Sequence, residues 1–155
     1  MSGLVQSKQP TIRFSKAGPY GLEGLSFAPK VITFSKTGIA GTEDEDFWVA
    51  PAGTFIAQAF ITVDTSVTNS GVVTLGTDGD PEALIASTDF DASTIGNYAT
   101  NIGSTNATNP EGLFLNAGDT IRLATTGTAD AGAVSGFLVY YEVDAMLGVG
   151  VHFEM

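Results

Sequence analysis

Gly112-Leu113-Phe114-Leu115-Asn116-Ala117-Gly118-Asp119-Thr120-Ile121-Arg122-Leu123-Ala124-Thr125 carries the reading of the fold. Two short β-patterned runs, 112–116 and 120–125, flank the turn Ala117-Gly118-Asp119. In the second run Ile121 and Leu123 point one way and Arg122 the other, the two-residue period of a half-buried strand.

The same pattern continues on both sides of this hairpin. Upstream, 46–50 is a short strand ended by Pro51-Ala52-Gly53, and 72–75 is another between Gly71 and Gly76. Residues 55–63 place Phe55, Ala57, Ala59, Ile61 and Val63 on one face. Downstream, 134–143 places Phe137, Val139, Tyr141 and Val143 on the inward face, with Leu138 and Tyr140 opposite. Residues 146–153 place Leu147, Val149, Val151 and Phe153 on one face. The one helical signal is 81–87, where Pro81 opens a turn of helix formers. Residues 88–111, rich in Asn, Thr, Ser and Gly, read as a surface excursion with one further strand or a helical turn near 91–95. Short strands with such turns predict an all-β chain, a jelly-roll β-sandwich over residues 37–155.

Residues 1–36 read as an extended N-terminal arm. Gly18-Pro19-Tyr20-Gly21, Gly24 and Pro29 break it into pieces too short for a core. Charge divides the chain at the same place. Lys8, Arg13, Lys16, Lys30 and Lys36 with the single acid Glu23 give the arm +4. The remainder holds sixteen acids and one base, Arg122, so it carries −15 and the chain −11. Within the arm, Thr11-Ile12-Arg13-Phe14-Ser15-Lys16-Ala17-Gly18 repeats as Val31-Ile32-Thr33-Phe34-Ser35-Lys36-Thr37-Gly38 at an offset of twenty. Either the two copies are similar edge strands by chance, or each pairs with an equivalent sheet edge, one in the subunit and one on a neighbour.

Composition narrows the functional classes. No Cys is present, which removes disulfides and thiolate metal sites and leans towards assembly in a reducing cytoplasm. No apolar run approaches the ~18 residues of a membrane span, so no membrane partner is expected. No signal-peptide pattern follows the first basic residues. The acidic body argues against nucleic acid, because neutralising phosphate takes a basic surface.

The candidate chemistry is thin. Glu43-Asp44-Glu45-Asp46 is read as a solvated loop before the Phe47 strand; a hard-cation site is the alternative, but neighbours in an extended chain point to opposite faces. Asp78-Gly79-Asp80-Pro81-Glu82 lacks calcium-loop spacing and is read as a turn whose Asp80 caps the short helix. His152, the only histidine, has no nucleophile or orienting group in a recognisable pattern. No catalytic residue, metal site or cofactor is expected, and the chain is read as a non-enzyme. Trp48, Tyr140 and Tyr141 either form a sugar-stacking platform or pack under loops and across an interface; packing is favoured.

Two family resemblances follow from these residues. Phe47-Trp48-Val49-Ala50-Pro51-Ala52-Gly53-Thr54-Phe55, Leu115-Asn116-Ala117-Gly118-Asp119-Thr120-Ile121-Arg122-Leu123 and Ser135-Gly136-Phe137-Leu138 arrive in the order of C1q/TNF-like jelly rolls. That resemblance implies a homotrimer, with Leu138 and Tyr140 at the subunit interface. In overall make-up the chain resembles the head decoration (cement) proteins of tailed bacteriophages: no Cys, much Thr, Gly, Ala and Asn, an acidic jelly roll and an extended arm. That resemblance implies a virion protein of the outer capsid surface, made in the host cytoplasm, that binds the assembled shell and stabilises it. The major capsid protein is then the partner, met by Ile12, Arg13, Phe14, Lys16, Leu22, Phe27 and Lys30 through strand addition, apolar anchors and charge. The alternative is a trimeric receptor- or glycan-binding head of a phage fibre.

Overall fold

The computed structural model describes residues 28–143. Within them lie β1 (Lys30–Thr37), β2 (Glu43–Val49), β3 (Thr54–Thr65), β4 (Val72–Thr77), β5 (Tyr98–Thr100), β6 (Leu113–Leu115), β7 (Thr120–Thr126) and β8 (Ala133–Glu142). The larger sheet runs β1-β8-β3, with β5 and β6 end to end along the far edge of β3. The smaller sheet runs β2-β7-β4. First strand pairs with last, β2 with β7 and β3 with β6, all antiparallel. The innermost pair is β4 with an isolated bridge from Leu75 to Ile85. Among the described residues this nested antiparallel pairing, split over two sheets, makes the β-sandwich that the short strands and turns predict.

The core lies between the sheets. Ile56, Ala59 and Ile61 of β3, Val134 and Leu138 of β8, Val73 and Leu75 of β4, and Ile121 of β7 are fully enclosed. Each large aliphatic side chain there contributes about 1.5–3 kcal/mol by leaving water. Arg122 points away from the core between Ile121 and Leu123, as the alternation predicts. The Gly-Asp turn closes as expected: Asp119 accepts from the Asn116 amide through its carboxylate at 2.8 Å, and Gly118 takes φ +91°, which a side chain would strain.

Several expectations are corrected. On β8 the inward residues are Val134, Leu138 and Tyr140, the reverse of the predicted face. Both faces of this strand are apolar, so parity was legible and direction was not. On β3 the register shifts between Ile56 and Gln58, so Ile56 is enclosed and Phe55 turns to the outer face. The acidic run is part of strand β2, not a loop. Residues 81–87 form turns and the Ile85 bridge instead of a helix. Asp80 still accepts from the Glu82 amide, at 3.2 Å.

The excursion over 88–111 holds β5 and turns near 91–95, and it is not confined to the surface. Phe90, Ala92, Ala99 and Asn101 are buried. Residues 30–36, read as the end of the arm, form the edge strand β1 on β8. The second repeat copy therefore pairs inside the subunit. The first copy, Ile12, Arg13, Phe14, Lys16, Leu22, Phe27, His152 and the strand read over 146–153 lie outside the described residues.

Candidate functional site

The four consecutive acids are held by two bases from neighbouring strands. Extended geometry sends alternate side chains to opposite sides of β2. Asp44 and Asp46 meet Arg122: its Nε donates to Asp46 at 2.6 Å and its Nη1 to Asp44 at 3.4 Å. Asp78, from the turn after β4, reaches the same guanidinium at 2.6 Å. On the other side Lys36 of β1 approaches Glu43 at 3.4 Å and Glu45 at 3.7 Å. Among the described residues no group of three or more His, Cys, Asp or Glu side chains converges on a metal position. The run behaves as a charged seam joining the edges of the two sheets.

These contacts shift titrations in one direction. The Ala40 amide and then Lys36 hold the Glu43 carboxylate below its ordinary range, and Arg122 does so for Asp46. In the excursion the Ser104 hydroxyl, with Asn106, lowers Asp89, and the Ser93 and Thr94 hydroxyls lower Asp91. A carboxyl with a depressed folded value stabilises the fold above its unfolded pKa and loses that contribution as pH falls through the folded value. Stability is therefore expected to hold from neutral pH down to about 4, the ordinary carboxylate range, and to fall below it. Thermal melts at pH 7, 5 and 3 check this. A melting temperature unchanged at pH 3 would show that the seam contributes nothing.

The aromatic expectation divides in two. Trp48 and Tyr140 pack on each other, ring centroids 4.7 Å apart, against the core. Tyr141 points to the opposite face of its strand, so the three rings do not converge into a sugar platform. Leu138, expected at a subunit interface, is fully enclosed in the core between the sheets. Tyr140 is half-buried, packed on Trp48 and against the core. Lys30 opens β1 and forms an ion pair with Glu142, with half of its side chain still exposed.

A different set of aromatics does cluster. Directly paired residues on neighbouring strands share a face. The pairs Phe60–Phe137, Thr62–Ser135, Val31–Val139, Phe55–Tyr141, Phe55–Phe114 and Thr62–Tyr98 therefore tile the outer face of the larger sheet. Phe60 stacks on Phe137 at 5.2 Å and on Tyr98 at 5.7 Å, making a ridge across three strands. Phe55 lies 6.1 Å from Phe114. Tyr98 and Phe114 are exposed. Beside the ridge a shallow hollow of about 480 Å³ is lined by Thr33, Ser35, Thr62 and Ser135 with the two stacked rings. The alternation that made β8 apolar on both sides was the signal for this surface. With its inward face reversed, it pointed to Leu138 and Tyr140, which face the core.

No protein-family model matches the sequence, and no curated protein matches it. Chains of solved structures are similar to it. A chain in the capsid asymmetric unit of cyanophage Pam1 is 18% identical, with a TM-score of 0.50 over 90% of this chain and 99% of that one. A chain in the acid-stable capsid of Helicobacter pylori bacteriophage KHP30 is 12% identical, with a TM-score of 0.49 over 74% and 86%. One in the capsid of Ralstonia phage GP4 is 13% identical, with a TM-score of 0.47 over 77% and 87%.

Proposed function

We propose that this protein is a virion structural component that decorates and stabilises an assembled phage capsid. The observation that carries the reading is the likeness to a chain of the cyanophage Pam1 capsid, which spans 99% of that chain and so matches a whole component, not a common sub-motif. The acidic body faces solution and keeps particles apart by like charge. The protein acts as a homotrimer on the outer capsid surface, a reading supported by the apolar residues on both faces of β8.

The arm contacts the major capsid protein. Strand addition on an exposed edge would supply main-chain hydrogen bonds, and the repeat of the β1 sequence at Thr11–Gly18 offers a strand of the type that already pairs with β8. Ile12, Phe14, Leu22 and Phe27 would fill apolar pockets while Arg13, Lys16 and Lys30 meet acidic patches. Co-sedimentation of the purified protein with empty phage heads tests this. Wild-type protein is expected to pellet with the heads. The full-length double variant Ile12→Asp, Phe14→Asp is expected to remain in the supernatant with an unchanged melting temperature. Salt should weaken wild-type binding only in part, because exposed charge pairs are screened while apolar anchors persist. Unchanged pelleting of the double variant would remove the arm from the mechanism.

A further inference from the structure

We propose that residues 11–18 are a second version of β1, addressed to an edge strand of the shell protein that offers the recess β8 offers here: a gap without a side chain for Phe14 and carboxylates for Lys16. The inference rests on the capsid-binding reading above and names what the arm meets. Exposure alternates along β1, and its half-buried positions are Ile32, Phe34 and Lys36. Each has a defined receptor. Ile32 lies opposite Leu138, which is fully enclosed. Phe34 lies opposite Gly136, where a Cβ would come 2.6 Å from its ring, and it stacks on Phe47. Lys36 reaches Glu43 and Glu45. At an offset of twenty these three side chains are unchanged, as Ile12, Phe14 and Lys16. Gly38, at φ +65°, is also kept, as Gly18. The exposed positions are the ones that vary. Val31, Thr33 and Thr37 stand against Thr11, Arg13 and Ala17, and only Ser35 is kept, as Ser15. Chance similarity has no reason to sort its matches by face. The side that reads a recess is preserved, and the side that faces water is not.

The flanks decide whose edge it is. After β1, Ile39 is fully buried and its N–H donates to the Gly132 carbonyl at 3.1 Å. At the start of β1, Lys30 forms its ion pair with Glu142. The corresponding residues of the first copy are Pro19 and Pro10. Proline has no N–H to donate, and it carries no charge. Residues 31–38 therefore hold β8 better than 11–18 can, in this subunit and in every other copy of the chain. The recess on a second copy is already filled by the better strand. The spare strand is left for an edge of the same pattern on a different protein. Strand addition takes affinity from main-chain hydrogen bonds and specificity from alternate side chains. Here the alternate side chains ask for a residue without bulk facing an aromatic ring and, two residues along, for carboxylates facing a lysine. The net +4 of residues 1–36 favours approach to such an acidic edge.

Two measurements on the full chain test this. In co-sedimentation with empty heads, Phe14→Ala should weaken binding roughly 30-fold, the loss of an aromatic anchor from its pocket. Lys16→Gln and Ser15→Glu each remove one positive unit of net charge, from opposite faces of the strand. Lys16→Gln should weaken binding roughly 10-fold, because it leaves carboxylates unpaired. Ser15→Glu should stay within about 3-fold of wild type, the range of an exposed charge. The second measurement asks whether 11–18 takes the place of β1. Ser35 and Ser135 are directly paired, and the chain has no cysteine of its own. Ser35→Cys with Ser135→Cys is expected to oxidise to an internal disulfide, and Ser15→Cys with Ser135→Cys to stay largely reduced under the same conditions. A Ser15→Cys, Ser135→Cys pair that closes as readily, within a chain or between chains, would seat 11–18 on β8 and overturn the proposal. Wild-type protein that does not pellet with heads would sink the decoration reading and this one together. Wild-type protein that pellets, with Ser15→Glu and Lys16→Gln equally weakened or Phe14→Ala unaffected, would overturn this proposal alone and leave the decoration reading standing.

Discussion

Gly136→Ala is expected to lower the melting temperature by about 10 °C, roughly 3 kcal/mol of stability for a domain of this size. Gly136 sits in β8 between Phe34 of β1 and Ile61 of β3. Its missing side chain lies on the inward face, since Ile61 beside it is fully enclosed. A Cβ there would collide with the Phe60 carbonyl oxygen and come 2.6 Å from Phe34 Cζ. The ring can swing aside; the carbonyl cannot move without parting β3 from β8, the most extensive strand pair of the sheet. Phe34 also stacks on Phe47 at 4.6 Å, so displacing its ring disturbs the packing between the sheets. Scanning calorimetry against wild type measures the effect. A shift under about 2 °C would mean that the strands part at little cost, contrary to the close-packed interior assumed here.

Asn101→Ala is expected to cost about 3 kcal/mol, with a comparable fall in melting temperature. Asn101 follows β5 and is fully buried. On the outer edge of β3, β6 covers residues 54–56 and β5 covers 60–62, leaving a gap between them. Asn101 fills it. Its carboxamide oxygen accepts from the Ala59 amide at 2.7 Å, and its nitrogen lies 3.5 Å from the carbonyls of Ala57 and Pro110. Alanine would leave a buried N–H without a partner, which costs about 1–3 kcal/mol, and a cavity besides. Asn101→Asp separates the contributions. It keeps the acceptor but sets a buried carboxylate against two carbonyl oxygens, so it should destabilise at pH 7 and recover part of the loss as pH falls and the carboxyl protonates. Equal stability of wild type and Asn101→Ala in urea titration would show that water replaces the side chain.

Both residues mark the limit of what was legible in the chain. Strand period, turn chemistry and the alternation of Ile121, Arg122 and Leu123 are local properties, and the strands at 55–63, 72–75, 120–125 and 134–143 were readable from them. The acidic run shows where local reading fails. Four carboxylates discourage a strand until Lys36, seven residues back on β1, and Arg122, from a strand far away in sequence, pair with them. Asn101 sat in a polar stretch that resembled any loop, because its role exists only where two strand ends leave a gap.

The sequence by itself determined that this is a β-sandwich with an acidic body and a basic lead, because hydrophobic period and charge are written residue by residue. Tertiary structure alone decided which face of each strand is the inside. A strand apolar on both sides, such as Ala133–Glu142, satisfies the two-residue period in either direction. The choice was made by the bulge after Ile56 on β3 and by Gly136, whose empty inward position admits the Phe60 carbonyl and the Phe34 ring. Those long-range contacts turned Leu138 into core and sent Phe137, Val139 and Tyr141 to the surface.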